Sequence, residues 1–127
     1  MRMQILEARI KRNNFIGLAG KFYRDNKSSF IEKLNKGDNN ALIAIEREDG
    51  VHTALGKEYV YYLTEQGVKG KLCYDDFLKI LRSRTLNSGK KGSYEFIKVN
   101  EQDSIWVIDA PTMNAIWNTA MLIHGSK

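Results

Sequence analysis

The sequence predicts an α+β fold, with antiparallel β-hairpins packed against three to five helices, and three observations predict it. Asp49-Gly50, lying between two apolar runs, is the strongest short-range hairpin signal in the chain. Segments with apolar residues at helical spacing, around 15–23, 74–82 and 113–124, alternate with β-rich runs at 41–48, 51–64, 94–99 and 105–109. The third is bulk: 127 residues, 43% hydrophobic and 28% charged, with one proline and no linker-like tract, match one domain with its own core.

In chain order, Met3, Leu6 and Ile10 share a helical face, while Leu6, Ala8 and Ile10 also fit strand alternation; the helical reading is preferred. Phe15, Leu18, Ala19, Phe22 and Tyr23 place a second helix after a capping Asn14, with Gly17 and Gly20 spaced for close packing of another element. Ser29 and Glu32 form a capping box for a third helix that Gly37 stops. Ala41 to Glu48 reads as a strand. The return strand runs from Val51, past a kink at Gly56, into Tyr59 to Thr64, and Gly67 and Gly70 then break the chain. Tyr74 to Arg82 is a helix with Asp75 and Asp76 in its first turn, ended by Asn87-Ser88-Gly89. Strands follow at Tyr94 to Val99 and Ile105 to Asp109, joined by a polar turn at 100–103. Asp109 then caps a last helix opened by Pro111, with Met113, Ile116, Trp117, Ala120 and His124 on one face.

The formal charge of +5 is unevenly placed. Residues 1–36 hold nine basic and three acidic residues, 37–68 two and six, 69–98 eight and three, and 99–127 one and three. This alternation lets the two basic segments join as one face, and a positive face attracts polyanions such as nucleic acid. Cys73 is the single cysteine, which rules out an intrachain disulfide and suits a reducing compartment. Beside an aromatic it reads as a buried thiol. Glu7 and Arg9 interrupt the apolar run a signal peptide needs, and no stretch approaches the ~20 apolar residues of a membrane span. A cytoplasmic or nuclear location is expected, with no membrane association and no secretion.

No motif commits the chain to catalysis. His52 with Glu46, Glu48 or Glu58 nearby is the one constellation suited to acid–base cleavage of RNA, and it requires an exposed His52 in a cleft. Asp75-Asp76 lack a third ligand at a telling distance, so neither a metal nor any other cofactor is expected. Ser88-Gly89-Lys90-Lys91-Gly92 has the small residues and cations to wrap a phosphate, without the spacing of a nucleotide-binding loop. On a strand, Tyr59 and Tyr61 share one face and Tyr62 takes the other, so one set is available for base stacking or partner binding. Trp106 and Trp117 fall on core-facing positions.

The run Ala41 to Gly67, with its Asp49-Gly50 turn and its Tyr61-Tyr62-Leu63-Thr64-Glu65-Gln66-Gly67 ending, resembles the wing hairpin of winged helix-turn-helix regulators. The resemblance implies that Leu18 to Leu34 stand in for the helix-turn-helix, with Lys27, Ser28 and Ser29 opening the recognition helix. It covers about half of the chain and leaves residues 72–127 without a counterpart.

The expected function is non-catalytic, regulatory nucleic-acid binding. Arg9, Lys11, Arg12, Lys27, Arg82, Arg84, Lys90 and Lys91 are expected to contact phosphates, which position a protein without reading sequence. The alternative is a protein-interaction module or inhibitor that uses the tyrosines and the glycine-spaced helix face, with a homodimer as the simplest form of self-association.

Overall fold

A computed structural model describes residues 2–37, 39–88 and 95–125 (for 84–88 the backbone alone), and the chain is α+β. The main sheet is an antiparallel meander of five strands in chain order: β1 (Tyr23–Arg24), β2 (Ala41–Glu46), β3 (His52–Gly56), β4 (Tyr59–Leu63) and β5 (Lys69–Cys73). A second hairpin pairs β6 (Phe96–Lys98) with β7 (Ser104–Trp106). The described helices are α1 (Met3–Arg12), α2 (Phe15–Ala19), α3 (Ser29–Asn35), α4 (Tyr74–Ser88) and α5 (Ala110–Gly125). None of them is long and apolar enough to cross a membrane.

Strand alternation sorts the sheet into two faces. Ile43, Ile45, Leu55, Val60 and Tyr62 point to the main core, which Leu6 and Ile10 of α1, Phe77 and Leu81 of α4, the β6–β7 hairpin and Ile116 and Ala120 of α5 complete. A bulge between Ala41 and Ile43 turns both Leu42 and Ile43 to this side. The opposite face carries Ala41, Ala44, Ala54 and Tyr61, a small cluster that Ile31, Phe30 and Leu34 of α3 cover. Three alanines there let a seven-residue helix lie close against the strands. A loop-to-helix cap anchors the far end of the chain: Asp109 Oδ1 accepts the Thr112 N–H at 2.8 Å at the start of α5. Just before it, Ile108 adopts φ +73°, with the Asp109 N–H donating to the Val107 carbonyl at 2.9 Å in a three-residue turn.

Several sequence expectations are corrected. The helix at 15–23 stops at Ala19, because Gly20 takes φ +58°; a short 3-10 turn follows, and Tyr23-Arg24 join the sheet. Asn14 does not cap that helix by its side chain but sits itself in the left-handed region. Gly17 leaves room for the Asn14 side chain rather than for a neighbouring element. Ser28, one residue before the expected Ser29, caps α3 by accepting the Ile31 N–H at 3.2 Å.

Gly56 is the site of a full reversal, not a kink. A β-carbon there would lie 2.8 Å from the Tyr59 carbonyl oxygen and 3.0 Å from that of Asn40, so only glycine lets the backbone turn back so closely. Gly70 does not break the chain either: it lies inside β5, opposite Tyr62, whose ring fills the space where a side chain would stand. Cys73 is exposed rather than buried, because it alternates with Leu72 onto the uncovered side of this edge strand. The winged-helix resemblance fails on topology. Residues 41–67 contain three strands of a larger meander, and the intended helix-turn-helix is interrupted by β1.

Candidate nucleic-acid interface

The second face of the sheet is wider than α3. Where the helix stops covering it, a trough of about 1010 Å3 opens between α3 and the β4–β5 edge. Ser29, Phe30, Lys33 and Leu34 form one wall, Lys69 and Lys71 line the strand side, and Arg24, Glu46, His52 and Tyr61 contribute from the intervening strands. The register explains the convergence: Arg24 pairs with Ala44, Glu46 with His52, His52 with Leu63, Tyr61 with Lys71 and Leu63 with Lys69. Directly paired residues of antiparallel strands project to the same side.

The cations in this trough are of two kinds. Arg24 is tied down: its Nε donates to Glu46 Oε1 at 2.9 Å, and its Nη1 donates to the Lys21 and Tyr23 carbonyls. It serves the structure. Lys33, Lys69 and Lys71 are exposed and take part in none of the ion pairs among the described residues. The Lys71 ammonium stands 4.3 Å from the Tyr59 ring centroid, a cation–π contact that holds it over the sheet. On the side of Trp106, whose ring centroid lies 5.9 Å from its guanidinium carbon, Arg47 bonds Asp49 at 2.6 Å and Glu65 at 2.9 Å, joining the β2–β3 turn to the β4–β5 turn. That guanidinium holds the Asp49 carboxyl at about 2.

His52 does not meet the condition for catalysis. It is only 7% exposed, its Nδ1–H donates to the Gly50 carbonyl at 2.9 Å, and Phe30 packs edge-on at 4.9 Å. Burial is the main reason its pKa lies below the ordinary value; Glu46 opposes the shift, and the Lys69 charge adds to it. With Glu46 engaged by Arg24, the pair is a packed element of the trough floor.

The expected phosphate contacts are dispersed. Arg9, Lys11 and Arg12 occupy the last turn of α1, where they favour the helix dipole. Lys11 and Lys27 do come together, in a smaller cleft of about 490 Å3, but Glu7 and Asp25 line it too and offset their charge. Burial, then those two carboxylates, push Tyr23 in the same cleft up to about 12. Arg82 is exposed on α4, in the helix layer on the opposite side of the sheet from α3. Lys90, Lys91 and the Arg84 side chain lie outside the described residues.

The two basic segments nevertheless meet, through residues that no sequence motif singled out: Lys33 from the first and Lys69 and Lys71 from the second. The one available signal was Lys69-Gly70-Lys71, an alternation that places both cations on one side once the segment is known to be a strand. Of the three tyrosines, Tyr61 and Tyr62 are each only 8% exposed, while Tyr59 is half-buried. Family models, curated proteins and solved structures compared with the chain yielded no match.

Proposed function

We propose that this protein binds nucleic acid without catalysis, and that the trough beside α3 is where it does so. The observation that carries the reading is the convergence of Lys33, Lys69 and Lys71, three cations with no carboxylate partner among the described residues. Unpaired ammonium groups release condensed counterions when they meet a phosphate chain, which supplies sequence-independent affinity.

The test is a salt series on the purified protein with labelled RNA. Binding should weaken linearly in a log–log plot, and the triple variant Lys33→Glu, Lys69→Glu, Lys71→Glu should lower the slope by about 2 to 3, roughly 0.7–0.9 for each phosphate left without its ammonium partner. Arg82→Glu, on the opposite layer, should leave the slope as it is. Absence of binding at physiological salt sinks the proposal.

A further inference from the structure

We infer that the trough accepts a single strand and rejects a duplex, an inference that rests on the nucleic-acid reading above. Three features point this way. Lys33, Lys69 and Lys71 lie in a concavity, between α3 and the edge strand, and not on a projecting element. Reading the bases of a B-form DNA duplex in its major groove takes a helix or two-stranded ribbon into that groove. On this face α3 packs against the sheet through the buried Ile31, and Lys33, its one cation, lines the trough.

The second feature is spacing. Lys69 and Lys71 alternate on β5, exposed on either side of Gly70. Residues two apart on a strand stand about 6.6 Å from each other, comparable with successive phosphates of an extended single strand. The third is the wall opposite. Phe30, half-buried on α3, lines the same concavity as the lysines. Aromatic rings beside a cationic track accept unpaired bases, which present their π-faces only when the strand is single. The trough, about 1010 Å3, has room for a few extended nucleotides.

Fluorescence anisotropy with labelled oligouridylate, a duplex RNA of equal length and linear polyphosphate of matched charge tests this at one salt concentration. The single strand should bind at least tenfold more tightly than either of the others. Phe30→Leu, which keeps an apolar side chain against the sheet, should weaken the single strand by about fivefold or more and leave polyphosphate binding unchanged. Duplex or polyphosphate affinity equal to that of the single strand overturns the inference while leaving phosphate binding in place. No binding by any of the three overturns the nucleic-acid reading itself, and the inference with it.

Discussion

The two faces of the five-stranded sheet are built from alternate residues of the same strands, yet they have opposite fates. On one, Ile43, Ile45, Leu55 and Val60 are covered by helices and the small hairpin, and every one of them is buried. On the other, the same strands offer Ala44, Glu46, His52 and Ala54, with Lys69 and Lys71 at the edge. Large branched side chains need a full layer to remove them from water. Alanines are satisfied by one short helix, and edge lysines need water, so coverage ends where α3 ends. Stability and the candidate site are thereby divided between the two sides of one sheet. Lysine on an edge strand has a second effect, since it discourages pairing with another sheet.

That division breaks most visibly at the core. Phe77→Ala, at a fully buried position of α4, should cost about 3–5 kcal/mol in urea denaturation, a large part of the about 5–15 kcal/mol that holds an ordinary domain folded. A loss under about 1 kcal/mol would mean that this side is not the principal core. Gly56→Ala forces a β-carbon against two backbone carbonyls that cannot move independently. A loss of about 1–3 kcal/mol is expected in the same assay, from the second reversal of the meander.

His52, on the other face, makes a smaller and pH-dependent contribution. Burial favours its neutral form, so the unfolded chain binds the proton more readily, near pH 6.5. Stability should therefore be level above that pH and decline as pH falls below it, by at most ~1.4 kcal/mol per pH unit. The decline ends once the folded protein also takes the proton. His52→Asn, which keeps a donor for the Gly50 carbonyl, should remove this component from a urea series between about pH 7.5 and 5. Identical pH slopes in the two proteins would show that the imidazole does not titrate differently on folding. The smallest effect belongs to the rim. Lys69→Glu with Lys71→Glu should shift stability by less than about 0.5 kcal/mol, while abolishing most of the salt-dependent binding. A large loss of stability would make those lysines structural.

Much of the fold was legible because its signals are local. The turn at Asp49-Gly50, where Gly50 takes φ +96°, needs only its own backbone. The helices at 74–88 and 110–125 announce themselves by periodicity, by Asp75 and Asp76 in one first turn, and by the Asp109 cap and Pro111 of the other. β5 was hidden because Leu72 is its only large apolar side chain, and the inward space at Gly70 is filled from another strand by Tyr62. The reversal at Gly56 was hidden for a related reason. Its requirement for glycine comes from the Asn40 and Tyr59 carbonyls, the first of them on a different strand's approach and far back in the chain.

By itself, the sequence determined the α+β class, most of the helices, the first hairpin and the separation of charge into two basic segments. Those properties follow from periodicity, capping and composition, which act over a few residues. Which cations meet was decided only by tertiary structure. Strand register set Lys69 and Lys71 opposite Leu63 and Tyr61, α3 brought Lys33 to the facing wall, and Glu46 withdrew Arg24 into an ion pair. The same packing closed Phe30 over His52 and removed the imidazole from solvent. Pairing across strands joins residues distant in the chain, and no pattern within either segment encodes that partner.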